Sequence, residues 1–296
     1  MGPRIAPLVA VLLLIPAGEA AAWGYDAHRF IMERAIELLP PELRPLFDRY
    51  RAIAIERSID PDTWRTAGFE EEDNRHYLNL DWEGYGTYPF AGLPRDYAAA
   101  VAKFGRARIE ENGTLPWRVV EYQGNLRRAF DAYRRPTALG RFNVLLFAAS
   151  LGHYISDALV PFHAVVNHDG QLTGQPGLHA RFETALFERY RTELTLTPRP
   201  FPPVRDPLDF TFERLLEGTQ LVPAILKHDR EAIGARDVYD EAYFTAFFAA
   251  GRPVLERRLS DAIAAVAAMV TGAWEASGRP PVPVDLPPAP PQRRRR

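Results

Sequence analysis

His153, Asp157, His163, His179 and Glu183, a set of three imidazoles and two carboxylates, lie within 31 residues near the middle of the chain. His153 and Asp157 are four residues apart, as are His179 and Glu183. On a helix that spacing places two side chains on one face, one turn apart. His163 follows Asp157 by six residues, just past Pro161, where a helix carrying the first pair should be ending. One such pair alone would be an ordinary helix-face hydrogen bond. Two pairs with an imidazole between them form an N/O ligand set suited to Zn²⁺ and related divalent ions. The chain has no cysteine, so disulfides and thiolate sites are excluded. Any transition metal must be held by histidine, carboxylate or main chain.

Further candidates lie upstream. Residues 1–22 have a positive start at Arg4, an apolar run from Ile5 to Ile15, then Pro16 and the small-residue sequence Ala20-Ala21-Ala22. This is the pattern of a secretory signal peptide, with an apolar run too short to span a bilayer. Cleavage after Ala22 makes Trp23 the mature N-terminus and places the protein outside the cell or in the periplasm. A free α-amino group has a pKa near ~8, low enough to bind a metal at neutral pH together with its own carbonyl oxygen. His28, five residues on, adds a third ligand. Asp62 or Asp60, followed by His76, supplies another carboxylate and imidazole.

The elements that must position these residues read as helices. Apolar residues recur at helical spacing over Ala27–Leu39, Glu42–Ile55, Asp96–Ile109, Trp117–Tyr133, Phe142–Leu159, Leu178–Leu194, Phe210–Lys227, Asp237–Ala250 and Pro253–Ser277. The helix over Phe142–Leu159 is apolar nearly all round and should be buried. Residues 58–62 read as a turn, and residues 63–96 as mostly loop with a short helical piece near His76. No useful period-2 alternation occurs, so the predicted class is all-α: one compact multi-helix domain over residues 23–278, built around a metal cleft. Residues 279–296 are Pro-rich and end in four arginines, which predicts a disordered tail. The composition is that of a soluble folded protein, 47% hydrophobic and 25% charged. A net charge of −2 gives no global attraction to nucleic acid or membrane.

In this pattern the chain resembles the superfamily of zinc-dependent phospholipases C and fungal-type zinc single-strand nucleases. The resemblance runs in order through Trp23, His28, Asp62, His76, His153, Asp157, His163, His179 and Glu183, with His-x₃-Asp-x₅-His at its centre. It covers residues 23–183; the remainder matches only in being helical. It implies a secreted hydrolase with three zinc ions. Asp62, His76, His153 and Asp157 would hold the first, and His163, His179 and Glu183 the second. The Trp23 amino nitrogen and carbonyl oxygen, His28 and a shared Asp157 would hold the third. It also implies that Asp62 is catalytic, orienting or deprotonating the attacking water.

Glu183 as last ligand and the 16-residue interval from His163 to His179 look like the phospholipase branch. The short Trp23–His28 spacing, Asp62-Thr63-Trp64-Arg65 and the His76-Tyr77 pair look like the nuclease branch, where Tyr77 would bind substrate beside the scissile phosphate. The expected function is therefore phospholipase C-like phosphodiester hydrolysis, with single-strand endonuclease and 3′-nucleotidase activity as the alternative. A metal-binding exported protein without turnover stands third. Phospholipid or single-stranded nucleic acid is the expected substrate. No stable protein partner is expected, and the protein should act as a monomer. Asn79, Asp81 and Asp169 are candidates for orienting the ligands, and Arg65 and Arg181 for contacting phosphate.

Overall fold

A computed structural model describes residues 23–286. The signal-peptide expectation for residues 1–22, and the last ten residues of the expected tail, lie outside the described residues. Among the described residues there is no strand, and the class is all-α. None of the described helices is long and apolar enough to cross a membrane.

The molecule is built around helix α8 (Ala138–Asp157). Thr137 starts it by accepting a hydrogen bond from Gly140 N, satisfying one of the free amides of the first turn. From Ala148 to Asp157 every residue is buried, as an apolar helix without a polar face requires. Four helices surround it: α1 (Tyr25–Glu37), α3 (Arg51–Arg57), α7 (Leu115–Tyr133) and α13 (Glu241–Ala276). α1 and α7 bury stripes at three- and four-residue spacing, Ala27, Ile31, Ala35 on the first and Val119, Tyr122, Leu126, Phe130 on the second. The crossing with α1 and α13 is close. A Cβ added at Gly152 would lie 3.2 Å from Val266 Cγ1 and 3.4 Å from Met32 Sδ.

Several expected boundaries move, each for a local reason. Residues 42–55 form two helices, α2 (Arg44–Arg49) and α3, because Tyr50 leaves helical geometry between them. The stretch expected to be a turn at 58–62 opens a helix instead, α4 (Asp60–Thr66). Pro61 sits in its first turn, where the missing N–H has no helical partner to lose. Gly105, at φ +81°, divides residues 96–109 into α5 (Tyr97–Phe104) and α6 (Arg106–Asn112). The helix beginning at Leu178 consists of α9 (Leu178–Ala180), a π-helical turn over Arg181–Ala185, and α10 (Leu186–Tyr190). Residues 207–233 hold two helices, α11 (Pro207–Thr219) and α12 (Val222–Ile233).

The last two expected helices are one, because α13 runs through Pro253 for 36 residues. The proline costs roughly 3 kcal/mol in a helix interior. Burial of Phe247, Leu255, Leu259 and Ile263 along the same helix outweighs it. The segment after α13 is also different from expectation. Residues 280–284 pack back on α7 and α8, with Tyr133 Oη donating to Pro283 O at 2.8 Å and Val282 buried.

One clamp ties the loop region to the site. Thr114 N donates to Asn74 O, Leu115 N to Tyr77 O and Asn79 N to Asn112 O, so residues 112–115 hold both sides of His76. Gly113 sits in this clamp at φ +97°, and an added Cβ would lie 2.1 Å from Tyr77 O. Gly113→Ala should therefore destabilise the fold by about 1–3 kcal/mol through strain and overlap. Urea denaturation at the wild-type midpoint would contradict the clamp.

Candidate metal centre

Eight buried side chains of ligand type converge from separate elements. His28 comes from α1, Asp62 from α4, and His153 and Asp157 from the end of α8. His76 follows a 3₁₀ turn over Glu70–Arg75, and His163 lies in a second over Pro161–Ala164. His179 comes from α9 and Glu183 from the π-helical turn. Their ligand atoms form three close groups: His28, His153 and Asp157; Asp62, His76 and His153; and His163, His179 and Glu183. Within each group every ligand atom lies within 4.8 Å of the others.

The first two groups share His153 and are joined by Asp157. Its Oδ1 faces His28 Nε2 at 3.3 Å, while its Oδ2 faces His76 Nδ1 at 3.0 Å and His153 Nε2 at 3.3 Å. Asp62 Oδ1 lies 3.8 Å from both His76 Nδ1 and His153 Nε2. The rings of His28 and His153 stack at 3.9 Å. In the third group His179 Nε2 approaches Glu183 Oε1 to 2.9 Å. Paired backbone bonds, Leu78 N to His163 O and Leu80 N to Ala164 O, hold the His76 segment against the His163 turn.

Of Asp60 and Asp62, only Asp62 lies in the cluster. Asp62 is fully buried in the cluster, whereas Asp60 turns outward to Arg57 at 3.1 Å. The π-helical turn begins two residues past His179, and it packs Phe182 and Arg181 inward while presenting Glu183 to the imidazoles.

Other side chains orient the ligands. Ser58 O accepts from His153 Nδ1 at 2.8 Å, leaving Nε2 to face the cluster. Ser156 Oγ donates to His153 O at 2.8 Å and meets His28 Nδ1 at 3.0 Å, which does the same for His28. Such contacts set the imidazole tautomer and raise its basicity as a ligand. Neither serine was a sequence candidate, although Ser156, adjacent to Asp157 on α8, carried a spacing signal. Of the expected orienting residues, Asp169 accepts from Gly177 N and His179 N and so anchors the start of α9. Asp81 holds Val166 N, and Asn79 is held through its backbone by Asn112.

Arg181 does not point at the cluster. Its guanidinium pairs with the buried Asp229 at 3.1 Å and lies over the Tyr239 ring at 3.9 Å. Arg65 is the arginine nearest the site, 3.9 Å from Asp62 Oδ1. His168 is bonded to Val166 O and belongs to none of the three groups. Tyr77 is half-buried, with its ring against Gly113 and its hydroxyl donating to Glu111 O. Trp23 is fully buried, and its indole N–H donates to Ser156 O at 2.9 Å. Gly24 allows this turn to pass close beside Thr184: an added Cβ there would lie 2.8 Å from Thr184 Cγ2.

The arrangement fits a bound cation on a physical ground. Both oxygens of Asp62, both of Glu183, Asp157 Oδ1, His28 Nε2, His163 Nδ1 and His179 Nε2 are buried without a hydrogen-bond partner. Even the close His179–Glu183 and His28–Asp157 approaches lack hydrogen-bond alignment. Each such group costs about 1–3 kcal/mol if nothing satisfies it, and more if charged. Positive charge at the points they face would satisfy them together.

Without a bound cation, the protonation states divide. Burial holds His163 well below the usual imidazole range, with His179 and His76 adding to this against Asp157. Burial and the neighbouring His153 likewise lower His28. Both imidazoles are thus in the neutral, ligating form. Burial alone would raise Asp157, but the charge of His153 and the close imidazoles of His28 and His76 hold it well below the carboxylate range. His153 behaves oppositely: burial would lower it, and Asp157 and Asp62 push it up to about 9. Burial raises Glu183 to about 7, with His179 opposing.

The chain matches no known protein-family model and no curated protein. The geometry therefore carries the assignment of these residues as a candidate metal centre. Because Asp157 faces two of the groups at once, Asp157→Asn should lower the bound metal by more than one group's share. His168→Ala should leave the metal content unchanged. Elemental analysis of the purified variants showing the reverse pattern would contradict this placement.

Proposed function

We propose that this protein is an exported, zinc-dependent phosphodiester hydrolase acting on phospholipid in the manner of a phospholipase C. The observation that carries the reading is the set of unpartnered, buried carboxylate oxygens and imidazole nitrogens in three adjoining groups. A donor set of imidazole and carboxylate without sulfur suits zinc. Three ions would be held as the resemblance implies. Asp62, His76, His153 and Asp157 would take one, and His163, His179 and Glu183 another. His28, Asp157 and the amino nitrogen and carbonyl oxygen of Trp23 would take the third. When bound, such ions act as Lewis acids on the phosphate and lower the pKa of a coordinated water.

The residues of the chain do the rest. Asp62, with neither oxygen engaged in a hydrogen bond, would orient the attacking water and accept its proton. Arg65 beside it would steady that carboxylate's charge. His163 and His179 are 4% and 6% exposed, whereas His28, Asp62, His76, His153, Asp157 and Glu183 are at most 2% exposed. Substrate would therefore enter over the second group, and the remaining ligands would be shielded from bulk water.

Two features favour phospholipid. Glu183 and the 16-residue His163–His179 interval look like the phospholipase branch. The Tyr77 hydroxyl is engaged by Glu111 O, which ties the ring to α6. The His76-Tyr77 pair is what supports the nuclease alternative, since an aromatic beside the phosphate can stack a base.

Purified protein beginning at Trp23 should release phosphorylated head group and diacylglycerol from a short-chain phospholipid. That rate should exceed nucleotide release from single-stranded DNA and be lost on chelation. Faster DNA cleavage, abolished by Tyr77→Ala, would move the protein to the nuclease branch. Bound zinc without either activity would make it a non-catalytic metal-binding protein.

A further inference from the structure

His76 turns Nδ1 into the cluster, 3.0 Å from Asp157 Oδ2 and 3.1 Å from His153 Nε2. Its other nitrogen, Nε2, is buried and has no hydrogen-bond partner. His153 and His28 each have an oxygen on the nitrogen turned away from the cluster, supplied by Ser58 and Ser156. The group facing His76 Nε2 is the carboxylate of Glu72, with Oε1 3.9 Å away.

Glu72 is itself buried, at 2% exposure, in the 3₁₀ turn that leads into His76. Its two oxygens are used differently. Oε2 takes Arg75 Nη1 at 2.8 Å and Arg118 Nη2 at 3.4 Å. Oε1 takes only the hydroxyl of Tyr154, the residue next to His153 on α8. A carboxylate oxygen has two acceptor sites, so Oε1 keeps one for an N–H on the side where His76 lies. The two arginines compensate the carboxylate's charge, which lets it stay buried without collapsing onto a nearer cation.

Resting on the metal-centre reading above, we infer that Glu72 is a positioning residue for His76. With the metal bound, Oε1 would close the 3.9 Å gap, accept from Nε2–H and so hold the tautomer whose Nδ1 lone pair faces the cluster. Glu72 touches neither substrate nor the reacting atoms. Through Tyr154 and His76 it links the α8 ligands to the loop ligand, and Arg75 and Arg118 extend this link to the wall of an outer cleft of about 1020 Å³. Carboxylate partners of this kind, when removed, weaken metal binding by about 10–100-fold.

The test uses the chain from Trp23 onward, titrated with zinc against a chromophoric chelator. Long-range ¹H–¹⁵N spectra of the histidine side chains identify the step that moves His76. In Glu72→Gln that step should weaken about 10–100-fold, the His163/His179/Glu183 step should be unchanged, and the Nε2 resonance of zinc-loaded His76 should shift. Tyr154→Phe, which removes only the hydroxyl and leaves the carboxylate to His76, should stay close to wild type at the His76 step. Unchanged affinity or an unmoved Nε2 resonance in Glu72→Gln overturns the inference. So does an equal loss in Tyr154→Phe, which would mean that packing alone matters. Absence of any zinc step at His76 in the wild type would instead overturn the metal-centre reading, and this inference with it.

Discussion

The structure depends on one unusual constraint: a carboxylate, Asp157, fully buried at the end of its central helix. An isolated buried charge is among the most expensive things a fold can contain. Here three imidazoles surround it, His153 from the same helix, His28 from α1 and His76 from a loop. Those contacts satisfy Oδ2 but leave Oδ1 and both oxygens of Asp62 without hydrogen bonds. The chain has therefore gathered more negative and lone-pair capacity than its own protons can satisfy. A bound cation would resolve this, and the elements around the site keep that capacity in place.

The scaffold serves this end at both sides of α8. At its C-terminus the last carbonyls would lack partners, and Asp157 would be free to shift. Arg258 of α13, itself fully buried, donates from Nε to Leu159 O at 2.6 Å and from Nη2 to Ala158 O at 3.3 Å. That fixes where the helix stops, and Pro161 then starts the 3₁₀ turn that delivers His163. The buried Arg181–Asp229 pair plays the matching part for the second ligand helix, tying the π-helical turn that carries Glu183 to α12. Both arginines are structural, and their charges are absorbed by carbonyls and carboxylates within the fold.

The ligand types were legible because metal chemistry restricts them: His, Asp and Glu at helical spacing stand out against an apolar background. The all-α class was equally legible from periodicity. What spacing could not reveal was how separate elements meet. Ser58 orients His153 through a backbone carbonyl, which has no sequence signature. Glu72 stands in an acidic run, Glu70-Glu71-Glu72-Asp73, that reads as solvated surface, and only the fold turns the third of these inward. Asp60 and Asp62 look alike until Arg57 is seen to hold the first outside. Arg181 is a plausible phosphate contact by position, but Asp229, 48 residues away, takes it. The sequence places Pro253 at the start of a separate helix and Pro61 in a turn; tertiary packing at one and first-turn geometry at the other make both compatible with a helix.

The central claim is that the unpartnered ligand atoms face bound zinc. Anomalous diffraction across the zinc absorption edge, on crystals of the chain beginning at Trp23, tests it most directly. Bound zinc should give anomalous peaks among His28, Asp62, His76, His153 and Asp157, and a separate peak among His163, His179 and Glu183. Crystals grown with zinc present that show no anomalous density at either place, with those side chains closed into hydrogen bonds with one another, would contradict it.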